Sequence, residues 1–276
     1  MTPVELRPGV VFGGGDLVLI AGPCMAESLE LCLESGAFLK GLCAQLGIGY
    51  VFKASYDKAN RTSGGSRRGP GLEKGLAMLA EVRSRLDVPV ITDVHESADV
   101  PRVAEVADML QVPAFLCRQT DLLTACGATG KPVNIKKGQF MAPEDMRGAV
   151  EKVRAAGPSP VLLTERGTSF GYHNLVVDLR SLPVMRSFGV PVVFDATHSV
   201  QLPGGLGNAS GGNREFVRPL ARAAAAVGID ALFAEVHPRP AEAWSDGANS
   251  LDFASAEQVI GEVKAIHDLA VSQGVR

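Results

Sequence analysis

Tyr50-Val51-Phe52-Lys53-Ala54-Ser55 is a short run of aromatic and β-branched residues that stops abruptly on a cation and a hydroxyl. A run without polar alternation suits a strand buried on both faces. The same figure recurs about every thirty residues along the chain. Upstream, Leu17-Val18-Leu19-Ile20 leads to Cys24. Downstream, Val90-Ile91-Thr92 stops on Asp93 and His95, Met109-Leu110 on Gln111, Val133-Asn134-Ile135 on Lys136, and Val161-Leu162-Leu163 on Glu165 and Arg166. Val192-Val193-Phe194 ends on Asp195 and His198, and Ala231-Leu232-Phe233 on Glu235 and His237. Helix-like stretches follow the runs, at 27–46, 72–86, 97–106, 119–128, 143–155, 175–187, 213–227 and 255–271. Pro143-Glu144-Asp145 puts a proline and two acids in a first turn, and Ser255 offers a cap with Glu257 behind it. Eight such βα units predict a (β/α)8 TIM barrel, in which functional groups collect where the strands end.

The 276 residues match one barrel of ~250 residues with a short extension, so a single domain over 1–276 is expected. Val4 to Phe12 alternates weakly before Gly13-Gly14-Gly15 and predicts an N-terminal β-hairpin within 1–15, set against the barrel bottom. A doubly wound open sheet would carry GxGxxG after its first strand. Here that turn reads Ala21-Gly22-Pro23-Cys24-Met25-Ala26-Glu27. A formal charge of -3 gives no general attraction to nucleic acid or to an anionic membrane. No apolar run approaches the ~20 residues that cross a bilayer, and Met1 to Arg7 lacks a signal-peptide pattern. Five cysteines without a CxxC spacing argue against a disulfide framework and favour a reducing cytoplasm.

In a closed barrel, strands one, seven and eight are neighbours. Their ends bring Cys24, His198 and Glu235 together, with Asp246 in the loop after strand eight. One thiolate, one imidazole and two carboxylates suit a divalent transition metal such as zinc, iron(II) or manganese. Taken singly, Cys24 also reads as a small core hydrophobe, the reading that prevails for Cys32, Cys43, Cys117 and Cys126. Lys53, Lys136 and Arg166 end strands two, five and six, with Lys58 just beyond. Such an arc invites a small substrate carrying phosphate and carboxylate. The alternative is ion pairing with Asp93, Glu165 and Asp195. Gln111 adds a neutral hydrogen-bond partner. His95 and His237 are expected near the mouth, His173 in a loop and His267 at the surface of the last helix. The loops 56–71, 198–212 and 236–254 are long, and the Gly-rich second one reads as a lid, with a flexible connector as the alternative.

Along nearly its whole length the chain resembles 3-deoxy-D-manno-octulosonate 8-phosphate synthases. The resemblance rests on Ala21-Gly22-Pro23-Cys24, Phe52-Lys53-Ala54-Ser55, Lys58-Ala59-Asn60-Arg61-Thr62-Ser63 and Arg68-Gly69-Pro70-Gly71. Thr92-Asp93-Val94-His95-Glu96, Gln111-Val112-Pro113-Ala114-Phe115, Asn134-Ile135-Lys136-Lys137 and Glu165-Arg166-Gly167 extend it, as do Phe194-Asp195-Ala196-Thr197-His198, Glu235-Val236-His237-Pro238 and Asp246-Gly247. It implies condensation of phosphoenolpyruvate with D-arabinose 5-phosphate in a cytoplasmic homotetramer, with no organic cofactor. By position, Lys53, Ser55, Lys58, Gln111, Ala114, Lys136 and Arg166 are implied at phosphoenolpyruvate. Asn60, Arg61, Thr62 and Ser63 are implied at the sugar phosphate, and Asp93, Gln201 and Asn249 at its hydroxyls. Cys24, His198, Glu235 and Asp246 match the ligands of a metal-dependent branch, and Lys53, Asp93, Lys136, Arg166 and His198 form the implied catalytic set. The rival within this chemistry uses erythrose 4-phosphate and carries Lys-Pro-Arg-Thr where this chain has Lys58-Ala59-Asn60-Arg61-Thr62. A noncatalytic metabolite-binding protein would be expected to have lost a pocket cation or metal ligands, and each of these residue types is present.

Overall fold

Strands apolar on both faces need one layer of partners outside and another inside, and the fold supplies both. A computed structural model describes residues 1–59, 65, 67–204 and 211–275. The hairpin strands β1 (Val4–Arg7) and β2 (Val10–Phe12) come first. The repeating units are β3 (Val18–Gly22) with α1 (Leu29–Leu46), β4 (Gly49–Lys53) with α2 (Leu72–Leu86), β5 (Val90–Asp93) with α3 (Val100–Val106), and β6 (Met109–Val112) with α4 (Thr120–Gly127). They continue as β7 (Val133–Lys136) with α5 (Met146–Ala156), then β8 (Val161–Glu165), the two-residue strands β9 (Thr168–Ser169) and β10 (Leu175–Val176), and α6 (Ser181–Arg186). Last come β11 (Val192–Asp195), the short β12 (Gln201–Leu202) and β13 (Gly211–Gly212), α7 (Val217–Val227), β14 (Ala231–Glu235) and α8 (Phe253–Ser272). Eight of these strands close a parallel barrel in the order β11-β14-β3-β4-β5-β6-β7-β8, the (β/α)8 architecture expected from the sequence.

Strand periodicity fixes which side chains enter the barrel. Val18, Ile20, Val51, Ile91, Met109, Leu162, Val193, Ala231 and Phe233 pack together inside, and their alternate neighbours Leu19, Tyr50, Phe52, Leu110, Val133, Leu163, Phe194 and Leu232 pack under the helices. The expected hairpin forms, and Val4, Val10 and Phe12 join the inner cluster, stoppering the end where the strands begin. Continuing the inward parity to the other end selects Lys53, Asp93, Gln111, Lys136, Thr164, Asp195 and Glu235.

Several boundaries differ from the sequence reading for local reasons. α1 starts after Ser28, whose Oγ accepts from the Leu31 N–H at 3.2 Å. α8 starts earlier than expected because Asp252, not Ser255, is the cap, accepting from the Ser255 N–H at 2.8 Å. The expected helix 175–187 is a helix only over Ser181–Arg186. Before it, Leu175 and Val176 pair with Ser169 and Thr168, and Asp178 Oδ1 accepts from the Arg180 N–H at 3.0 Å. That local turn competes with helix. His267 faces inward on α8 and is 4% exposed, so the surface expectation fails.

Gly22 ends β3 at a point where a Cβ would lie 2.2 Å from the Lys53 carbonyl oxygen. Gly22→Ala should force β3 and β4 apart, costing about 1–3 kcal/mol and lowering the thermal midpoint by roughly 2–10 °C. Circular dichroism melting checks this; an unchanged midpoint would contradict the close approach.

Candidate active site

Five polar side chains on successive strands form a chain of hydrogen bonds around the upper barrel. The Ser55 hydroxyl, just beyond β4, donates to Asp93 on β5, and the Gln111 amide on β6 donates to the other Asp93 oxygen. Asn134 on β7 donates to Gln111 Oε1 at 3.1 Å, and the Thr164 hydroxyl on β8 donates to Asn134 Oδ1 at 2.7 Å. Asn134 and Thr164 escaped the sequence reading. Their signal was a polar residue at inward parity within an apolar strand.

Above this chain sit the cations. Lys53 Nζ donates to Ser55 Oγ at 2.8 Å and lies 3.6 Å from Asp93 Oδ2. Lys136 Nζ donates to Asp195 Oδ2 at 2.6 Å and stands 3.7 Å from the centre of the Phe233 ring. Arg166 donates to Gln201 Oε1 at 2.6 Å, and Gln201 donates to Asp246 Oδ1 at 2.6 Å. The ion-pair alternative thus holds for Lys53 and Lys136. It fails for Glu165, which has the outward parity. There it lies 3.6 Å from Lys137 and accepts from the Gly167 N–H and the Ser181 hydroxyl, each at 2.6 Å. Lys136 and Arg166 therefore face the mouth, while their neighbours Lys137 and Glu165 brace the loops behind.

The seam strands β3, β14 and β11 supply the other wall. One donor atom each from Cys24, Glu235 and Asp246 falls within 4.8 Å of the others. The Cys24 thiol donates to Asp246 Oδ2 at 3.1 Å, as does the Ser245 hydroxyl at 2.8 Å. Both Glu235 oxygens are buried without a hydrogen-bond partner among the described residues. His198 stands beside this group, with Nε2 3.3 Å from Glu235 Oε1 and Nδ1 2.8 Å from Asp195 Oδ2. A soft thiol, two carboxylates and a pair of orphaned oxygens fit a divalent cation.

Titration follows from these contacts. Burial raises the Cys24 thiol, and Glu235 raises it further, against the lowering effect of Lys58. Burial lowers Lys58, but Cys24, Glu235, Asp93 and Asp246 more than reverse this. Burial depresses Lys136 despite Asp195, and likewise Arg166. For Asp93, burial acts upward, and Lys53, Lys58, His95 and Lys136 together bring it well below the usual carboxylate range.

A cavity of about 760 Å³ opens at this end of the barrel, lined among others by Lys53, Lys58, Asp93, Gln111, Ala114, Lys136, Arg166, His198, Gln201 and Asp246. His95 lines it as well. Ser55 and Asn249 lie behind the lining, Ser55 under Lys53 and Asn249 packed against Gly212. His237 is buried, its Nδ1 accepting from the Arg239 N–H at 2.9 Å. His173 is in a loop, as expected, donating from Nδ1 to the Pro203 carbonyl at 2.6 Å. Asn60, Arg61, Thr62 and Ser63, together with most of the Gly-rich stretch, lie outside the described residues.

Fold and mouth together define a class: barrel enzymes that gather small anions where parallel strands end. The chain belongs to the DAHP synthetase I family, whose model matches residues 1–269. It is similar to proteins named 2-dehydro-3-deoxyphosphooctonate aldolase. The one from Desulfotalea psychrophila is 58% identical over 251 residues, covering 91% of this chain and 90% of the relative. That of an Azoarcus species is 57% identical over 259 residues, covering 93% of each. That of a Cyanothece species is 55% identical over 267 residues, covering 96% and 98%.

Asp93 should tie stability to pH. With its folded pKa depressed, ionised Asp93 stabilises the fold above the unfolded-state value of about 4, and the contribution is lost as pH falls below it. Asp93→Asn should cost about 3 kcal/mol at pH 7 by urea denaturation. The gap from wild type should begin to close below about pH 4; a gap constant down to pH 3 would mean that the charge is not what matters.

Proposed function

We propose that this chain, as a single barrel domain over 1–276, condenses phosphoenolpyruvate with D-arabinose 5-phosphate and water. The products are 3-deoxy-D-manno-octulosonate 8-phosphate, the compound named in its relatives, and inorganic phosphate. The observation that carries this reading is one cavity lined by Lys53, Lys58, Lys136 and Arg166, with the cluster of Cys24, Glu235 and Asp246 directly against it, Lys58 Nζ lying 3.8 Å from Glu235 Oε1. The erythrose 4-phosphate alternative is not favoured, because the relatives are named for the eight-carbon product and the Lys-Pro-Arg-Thr run is absent.

In this reading Lys53, Lys58, Lys136 and Arg166 bind the phosphate and carboxylate of phosphoenolpyruvate, with Ser55, Gln111 and Ala114 completing the subsite. Asn60, Arg61, Thr62 and Ser63 take the sugar phosphate. Asp93 and Gln201 serve the sugar hydroxyls, and Asn249 supports them from behind. A bond forms from C3 of the enol phosphate to the aldehyde carbon, water adds at C2, and the tetrahedral adduct expels phosphate. The cations are held before substrate arrives, by Asp93, Asp195 and Gln201, so little reorganisation is needed as charge moves. Cys24, Glu235 and Asp246, with His198 beside them, would hold one divalent ion, zinc, iron(II) or manganese in type, which when bound supplies electrophilic help and orients water.

No helix of the described residues is long and apolar enough to cross a membrane, and a cytoplasmic location completes the reading. So does a homotetramer. Phe115, Phe140, Phe170 and Tyr172 project from loops after three consecutive strands and are 52–96% exposed, a surface that self-association would cover.

Turnover with each sugar phosphate is the deciding assay: higher kcat/KM on erythrose 4-phosphate would overturn the assignment. Lys136→Ala and Arg166→Ala should each reduce kcat/KM tenfold or more, since losing a charged hydrogen bond costs about 1.5–3 kcal/mol. Dialysis against dipicolinate should remove both metal and activity, with manganese or iron(II) restoring activity. Cys24→Ala should lower metal content measured by emission spectrometry. Full activity in metal-stripped protein would remove the ion from the reading.

A further inference from the structure

Asp246 has a backbone conformation that few side chains adopt. Its φ of 53° lies in the left-handed region, which it shares, among the non-glycine residues described, with Asp87 and His173. Aspartate enters this region more readily than most residues, but at a cost, and it persists there only where its surroundings hold it. Part of that hold comes from the turn itself. The Asp246 carbonyl accepts from the Asn249 N–H at 2.9 Å, and from the Ser250 N–H and the Ser250 hydroxyl, each at 3.0 Å. Gly247 runs so close to the Pro240 carbonyl oxygen that a Cβ there would stand 2.2 Å from it.

Two side chains from other loops grip this turn on either side of Asp246. Glu27, from the loop between β3 and α1, accepts the Trp244 N–H on Oε1 at 2.8 Å, two residues before Asp246. That loop is anchored in turn, because the Ala26 N–H donates to the Ser55 carbonyl at 2.9 Å. Arg214, just after β13, donates from Nη2 to the Gly247 carbonyl, one residue beyond Asp246. Both act on backbone atoms, and the Asp246 carboxylate takes its own hydrogen bonds from Cys24, Gln201 and Ser245. We infer that Glu27 and Arg214 hold Asp246 in its left-handed turn before an ion arrives, and so set the affinity of the Cys24–Glu235–Asp246 cluster for a divalent cation. The inference rests on the metal site proposed above. A ligand already aimed at its site loses less freedom on binding, so preorganisation is read as affinity. Both are positioning residues, acting through the loop backbone.

Partners that orient a metal ligand are worth about 10–100-fold in affinity, and two that act through backbone atoms should fall at the low end. The test takes full-length protein stripped of metal and titrates it with cobalt(II) against a competing chromophoric chelator. Melting curves confirm that each metal-free variant is folded. Wild type should bind a single equivalent and show the near-ultraviolet absorption of a cobalt–thiolate bond. Glu27→Ala and Arg214→Met should each raise Kd for cobalt about tenfold with the thiolate band retained. Glu27→Gln keeps an acceptor for the Trp244 N–H, and Arg214→Lys keeps a donor for the Gly247 carbonyl, so both should recover most of the affinity. Glu27→Asp and Arg214→Gln, each too short to reach, should show the loss and take the place of any truncation that does not fold. An unchanged Kd at either position would overturn the inference, as would an equal loss in the conservative and truncated variants. Should wild type bind no cobalt, or bind it without the thiolate band, the metal site itself fails. Unchanged variants beside a wild type that binds remove only the role of Glu27 and Arg214.

Discussion

A closed parallel barrel gives each strand only two directions for its side chains, and the direction is set residue by residue along the whole strand. The apolar packing of Ile20, Val51, Ile91, Met109, Leu162, Val193 and Phe233 inside the barrel therefore fixes far more than stability. It decides which polar residues reach the mouth. Lys53, Asp93, Gln111, Lys136, Asp195 and Glu235 follow their strands' inner parity, and a one-residue slip would send each under a helix. The contrast of Lys136 with Lys137, and of Arg166 with Glu165, shows the rule at work. Adjacent residues, two lysines in one case and an acid and a base in the other, end up in separate networks.

Burying so many charges is tolerable only because each is answered. Asp93 lies within reach of Lys53 and takes hydrogen bonds from Ser55 and Gln111, and Asp195 answers Lys136 with His198 against it. Glu235 is the exception. Three positively charged or chargeable groups stand 3.3–3.9 Å from its Oε1, yet neither oxygen accepts a hydrogen bond among the described residues. A buried carboxylate without a hydrogen bond, beside a thiol and Asp246, completes a group of donor atoms that could hold a cation.

The barrel was legible because its strands are short, apolar and evenly spaced, and the mouth residues were legible because each sits where such a run stops. What escaped was set by tertiary contact or by local competition. Asn134 and Thr164 are single polar residues inside apolar runs, meaningful only once their neighbours across the sheet are known. Asp252 displaced Ser255 as the cap, three residues earlier in the chain, because its carboxylate reaches the Ser255 N–H. Leu175 and Val176 chose a ladder with Thr168 and Ser169 over helix because Asp178 closes a turn ahead of Ser181. Position 267 carries a histidine on a face that packs inward, which polarity alone misjudges.

The seam between β3 and β14 closes the circle between the first and last strands of the barrel. Cys24 and Asp246, bonded across it, are 222 residues apart in the chain. Contacts so distant along the chain form late, because the entropy of closing the intervening length must be met first. During synthesis most of the barrel wall can assemble before the segment that completes the thiol–carboxylate cluster has left the ribosome. The cluster thus comes into being together with the ring itself, and an open barrel, however well formed its helices, has no cluster at all. Closing the ring and assembling the cluster are in this chain a single event.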